Sequence, residues 1–153
     1  MALKINLSYN GQTYSTNRGF NMDMYSSLQI LISGLVSGLI LFQSVFVAPT
    51  VFTTLNEENR APFLRTVFPK LFKAMIAAGL IFLVITFIQA PESMATYLVG
   101  TITLLAGIVC NSIIPATNKA RDEGHDTMFS LLHRLSVVLT VLTLLVNLLW
   151  VFI

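Results

Sequence analysis

The sequence predicts an all-α integral membrane protein: a four-helix transmembrane bundle, up-down-up-down, with a short interfacial amphipathic helix between spans one and two. Three observations lead there. The 153 residues are 55% hydrophobic and only 10% charged, and a mean hydropathy of +0.77 lies outside the range of soluble globular domains. Asp, Glu, Lys and Arg are absent from residues 24–56, 74–91, 93–118 and 135–153, windows of 33, 18, 26 and 19 residues, and about 20 apolar residues suffice to cross a bilayer. The last window belongs to a stretch with one polar edge. Steps of four and three along it pick out Phe129, His133, Ser136, Thr140, Thr143, Asn147 and Trp150, while Leu and Val fill most of the positions between.

Residues 1–23 form a polar tail broken by Gly11, Asn17, Gly19 and Asn21, with an extended run at Lys4–Tyr9. The opening MALKINLSYNG lacks the apolar core of a cleavable signal, so span one is expected to direct insertion. The transmembrane domain is expected over residues 24–153, with spans at about 26–48, 70–89, 94–115 and 132–152. Span one ends or kinks at Pro49. Its Ser33, Gly34, Ser37 and Gly38 make two overlapping small-xxx-small pairs that let a second helix approach closely, either inside the bundle or in a homodimer.

Asn56 with Glu57 and Glu58 gives cap and first-turn chemistry to the short amphipathic helix, whose Phe63, Leu64, Val67 and Phe68 alternate with Arg60 and Arg65. Pro69 is expected to begin span two, where Lys70 and Lys73 reach toward headgroups. The seam of span two reads Met75, Gly79, Phe82, Thr86 and Gln89. The short turn Ala90–Ser93 makes span three its antiparallel neighbour. Span three repeats the period at Thr96, Gly100, Thr103, Gly107, Cys110 and Ile114 and ends at Pro115, before a polar loop 116–127 in which Asp126 or Thr127 caps span four.

Lys and Arg count two on one side of the membrane (Lys4, Arg18). On the other they count seven: Arg60, Arg65, Lys70, Lys73, Lys119, Arg121 and Arg134. Positive residues favour the cytoplasmic side, so the first and third loops are expected inside and both termini outside, in the cytoplasmic (inner) membrane. A net charge of +2 is too small to point to nucleic acid.

No Asp or Glu lies within a span, which argues against proton- or cation-coupled transport. One cysteine, Cys110, and two histidines eight residues apart give no basis for a zinc site or haem, so no cofactor or metal is expected. Hydrogen bonding between helices accounts for the Ser, Thr, Asn and Gln stripes; a narrow path for a small neutral solute is the functional alternative. Cys110 near His133 has the makings of a nucleophilic pair, although a buried lone cysteine ordinarily packs as a small hydrophobe. The residues expected to gather at the inner end are Asn111, His133, Arg134, Ser136 and Ser44. Those expected to pack helices are Ser33, Gly34, Ser37, Gly38, Gly100 and Gly107.

Four ordered stretches, GLILFQSVFVAP (38–49), VFPKLF (67–72), NSIIP (111–115) and FSLLHRLS (129–136), resemble the transmembrane protein 205-like family, whose bacterial members form domain of unknown function 4149. The resemblance covers about residues 28–150 and implies a four-helix membrane fold with no established activity. It would assign the family's recurrent polar positions to Asn111, His133, Arg134 and Ser136. The chain departs from the pattern one turn beyond Ser136, where an Asn common in the family is replaced. A fainter similarity to small anthrone-oxygenase-type membrane proteins points toward an enzyme. The function expected is a non-enzymatic accessory or assembly subunit, with the bilayer and a membrane-protein partner or a second copy as contacts. The alternative is a transporter or enzyme handling a small molecule or lipid at the cytoplasmic end.

Overall fold

The computed structural model describes residues 5–9, 12–16, 24–91 and 93–152. In the tail, β1 (Ile5–Tyr9) and β2 (Gln12–Thr16) pair antiparallel, with Ile5 opposite Thr16 and Tyr9 opposite Gln12. The extended run is therefore one arm of a hairpin. Lys4, Gly11, Asn17, Gly19 and Asn21 lie outside the described residues.

After the tail the described residues are helical apart from short connections at 55–56, at 90–91 and 93, and at 123–125. Span one is α1 (Met24–Phe42), a π-helical turn (Gln43–Val47) and α2 (Ala48–Thr54) in continuous succession. Pro49 has no N–H for the carbonyl of Val45, and its ring would crowd that carbonyl in a regular α-helix. The widened turn accommodates this: Ala48 N–H bonds five residues back to Gln43 O, and the chain continues past the proline. Span two is α3 (Glu57–Gln89), span three is α4 (Met94–Asp122), and span four is α5 (Asp126–Leu149) with a closing 3₁₀ turn (Trp150–Phe152). All four are long and apolar enough to cross a membrane, so the chain is a multi-pass membrane protein.

Two boundaries differ from the sequence reading, both at prolines. The separate amphipathic helix is absent as such: α3 runs through Pro62 and Pro69 as one helix of 33 residues, about 50 Å long. Its Asn56 cap is as expected, with Oδ1 accepting from Asn59 N–H at 3.2 Å. Likewise α4 continues through Pro115 to Asp122, about 44 Å, which reduces the third loop to residues 123–125. Both helices outrun a hydrocarbon core of about 30 Å, so their basic ends project beyond it as rods. A proline removes one hydrogen bond, and within membrane spans packing against neighbouring helices and hydroxyl side chains compensates, so the helix continues across the gap. His125, not Asp126 or Thr127, stands at the cap position of α5, and its side chain makes no cap bond.

The helices form a ring in which α3 packs most extensively on α4, then α4 on α5, with α1 closing the ring against α3 and α5. Glycine brings α3 and α4 together. A Cβ on Gly79 would stand 2.5 Å from the backbone nitrogen of Leu104, and one on Gly107 would stand 3.0 Å from the nitrogen of Ile76. A Cβ on Gly100 would meet Leu83 at 2.8 Å. In span one the two small-residue ridges part company. Ser33 and Ser37 are buried, whereas Gly34 and Gly38 face outward with nothing within 4 Å of an added Cβ. Adjacent positions lie about 100° apart on a helix, so the two ridges look in different directions.

Three layers follow along the bundle. At the Trp150 end, polar side chains bond across helices. Gln29 Nε2 donates to Thr86 Oγ1 at 2.9 Å, Asn147 Nδ2 to Thr103 Oγ1 at 2.8 Å, Trp150 Nε1 to Ser33 Oγ at 2.8 Å, and Gln89 Nε2 to Ser26 Oγ at 3.1 Å. The Trp150 ring also meets Phe82 edge-on at 5.4 Å. The middle is an apolar layer of Val36, Ile40, Leu71, Phe72, Met75, Ala106 and Cys110. Leu, Val, Ile and Phe side chains such as Leu35, Phe46, Phe87, Leu98 and Val138 cover the outside, which suits lipid. The third layer, at the arginine-rich end, is open.

Candidate functional site: an apolar cavity with a basic rim

Beyond the apolar layer the four spans diverge around a cavity of about 690 Å³, in the range of small-molecule sites. Its floor is Ile40, Leu71, Phe72 and Cys110, and its walls are apolar residues of all four spans, among them Leu64, Phe68, Ile114, Val137 and Leu144. Polar and charged groups collect toward the mouth: Glu57, Arg60, Arg65, Arg121, Asn118 and His133.

The rim is ordered by specific contacts. Arg60 donates through Nη2 to the carbonyls of Phe52 and Leu55, at 3.3 and 3.1 Å, where α2 ends and its carbonyls lack helical partners. Its guanidinium also lies 4.9 Å from the Phe52 ring centroid, and its Nε is buried without a hydrogen-bond partner. Arg121 lies 5.0 Å from the centroid of Phe129, whose other stacking partner is the His133 ring at 5.8 Å and 6° between planes. Arg65 is ion-paired to Asp122, which ties the projecting ends of α3 and α4 together. Both partners are well exposed, so the pair orients more than it stabilises. Among the described residues neither Arg60 nor Arg121 has a carboxylate in ion-pair range.

Of the five residues expected at the inner end, Ser44, His133 and Ser136 line the cavity, whereas Asn111 and Arg134 do not. Among the described residues no hydrogen bond between helices, and none between two side chains, joins any two of the five. Ser136 Oγ donates to His133 O within its own helix, and Arg134 Nε donates to Ser130 O at 3.3 Å. Cys110 is fully buried, and its thiol points to Ser136 O at 3.8 Å rather than to His133. The arrangement offers no base to that thiol, and among the described residues no group of three or more metal-ligating side chains occurs.

Sequence reasoning missed Gln43. It is 7% exposed, lines the cavity, and its Nε2 has no hydrogen-bond partner. An uncharged Gln in an apolar run, six residues before Pro49, was the available signal. The bonding side chains Gln29, Thr86, Ser33 and Trp150 also lie at the end opposite the expected cluster.

Residues 31–126 match the family model described as Domain of unknown function (DUF4149). The chain belongs to this family. No curated protein and no solved structure matches it. The DUF4149 match takes in most of span one and all of spans two and three, hence Gln43, Arg60, Arg65 and Arg121, and stops at the first residue of α5.

Among the described residues His133 and Asn111 have no cross-helix hydrogen bond, whereas Asn147 has one, and this separates them in stability. His133→Ala and Asn111→Ala should each stay within about 0.5 kcal/mol of wild type in detergent, and combine additively. Asn147→Leu should cost roughly 0.6–1.7 kcal/mol. Thermal unfolding of the purified variants decides; a His133→Ala loss as large as that of Asn147→Leu contradicts the assignment.

Proposed function

We propose that this DUF4149 protein binds a membrane amphiphile, with the apolar body in the cavity and an anionic headgroup on Arg60 and Arg121. One observation carries the reading: a large apolar cavity at the membrane-edge end, with arginines at its mouth held by rings and carbonyls rather than by carboxylates. An anionic ligand supplies the carboxylate-like partner that neither guanidinium finds among the described residues. The packed apolar layer between cavity and Trp150 end favours a blind binding site over a conduit. This is the lipid-handling alternative of the sequence reading, here as binding with no reaction assigned.

The accessory-subunit reading rests on a different surface, the outward face of span one at Gly34 and Gly38, which is bare enough for a helix of a partner or of a second copy. Kinship with transmembrane protein 205-like proteins is supported by the four short stretches quoted above. The excess of Lys and Arg at the cavity end supports its placement in the cytoplasm, with both termini across the inner membrane. With Cys110→Ser as background, His125→Cys should then resist a membrane-impermeant thiol reagent in intact cells and react after permeabilisation; strong labelling of intact cells reverses the orientation.

Native mass spectrometry of protein exchanged into detergent with phosphatidylglycerol tests the binding. Wild type should retain the anionic lipid over neutral phosphatidylcholine, and Arg121→Gln should weaken retention about fivefold, as expected for one interfacial cation worth about 1 kcal/mol. Equal retention of both lipids by wild type, or no effect of Arg121→Gln, overturns the reading.

A further inference from the structure

We infer that the ligand of the cavity is an ester-linked anionic glycerolipid, recognised below its headgroup by a hydrogen bond from Gln43 to an ester carbonyl. The inference rests on the lipid-binding reading and specifies its substrate class. Gln43 opens the π-helical turn of span one. Its amide is buried in the cavity wall, and the Nε2 donor meets no acceptor in the protein. A buried amide without a partner is costly, so an acceptor supplied by the occupant is the natural complement.

Depth fixes where that acceptor lies. Ile40 and Cys110 share the apolar floor, and Cys110 contacts Ser136 O, so these residues mark one level. One turn toward the mouth from that level stand Gln43 on span one and His133 on span four. A further turn of α5, about 6 Å, reaches Phe129, on whose ring Arg121 rests. The cavity thus presents a cation at the mouth, a neutral donor a turn beneath it, and below that walls that are apolar apart from Ser136 and Thr140, whose hydroxyls already donate to carbonyls of their own helix. A glycerophospholipid carries a phosphate, an ester carbonyl a few bonds inward, and acyl chains in that order. A polyprenyl phosphate has no carbonyl at the second level, and a quinone has no anion at the first.

The test compares dioleoyl-phosphatidylglycerol with its ether-linked counterpart, which keeps the charge and chains but lacks both carbonyls. In native mass spectrometry of the full chain, wild type should retain the ester lipid about fivefold better than the ether lipid, and Gln43→Leu should hold both at the wild-type ether level. Equal retention of ester and ether lipid by wild type overturns the inference while leaving anionic-lipid binding in place. Retention of neither overturns both. A preference that survives in Gln43→Leu also overturns it, and Gln43→Met serves where the Leu variant does not fold.

Discussion

Backbone contact between α3 and α4 at Gly79 is the constraint on which the bundle depends. Lipid offers apolar side chains as good an environment as protein does, so helices in a membrane associate through close packing and hydrogen bonds. A glycine whose missing Cβ leaves room for the backbone of Leu104 lets the two helix axes approach more closely than side chains otherwise permit. Gly107 repeats the approach against the backbone of Ile76, Gly100 two turns away on α4 makes room for the Leu83 side chain, and the bonds of Thr86 and Thr103 then attach spans one and four to this pair.

The same constraint explains the open end. Glycine contacts and cross-helix bonds occupy the middle and the Trp150 end. Toward the basic end α3 and α4 remain joined by the Arg65–Asp122 pair, but α5 offers exposed His133 and half-buried Ser136, and span one passes into its π-turn. There α5 is held to α4 by Arg121 on Phe129 and by Cys110 against Ser136 O, and the end of α2 is held to α3 by Arg60. The cationic mouth and the uncharged donor below it grade from polar to apolar in the sense in which a lipid does.

Much of this was legible in the sequence because periodicity records burial directly. The seams of spans two and three are the buried stripes of α3 and α4 from Met75 to Thr86 and from Thr96 to Cys110, while their last members, Gln89 and Ile114, are half-buried. The seam of span four is buried only at Thr143 and Asn147. A polar stripe does not say whether a neighbour covers it or a cavity faces it, so the pattern alone does not separate Asn147, which is buried, from His133, which lines the cavity. The sequence marks a boundary at Pro69 and Pro115 and an end or a kink at Pro49, and all three lie within continuous helix, because packing and hydroxyl side chains inside a span compensate for one missing hydrogen bond. Asn10-Gly11 between two alternating runs is a strong hairpin signal, and treating Gly11 as a mere breaker concealed the pairing of β1 with β2. The cavity itself left no trace, since residues of all four spans line it and no one segment encodes it.

The central claim, a bundle held by backbone contact between α3 and α4, is tested most directly by the detergent stability of Gly79→Ala against Gly34→Ala. Each adds the same methyl to an apolar helix, but only the first has backbone in its way. Gly79→Ala should lose roughly 1–3 kcal/mol with a corresponding fall in Tm, while Gly34→Ala should be neutral or slightly stabilising. Equal unfolding temperatures for the two variants would contradict the account.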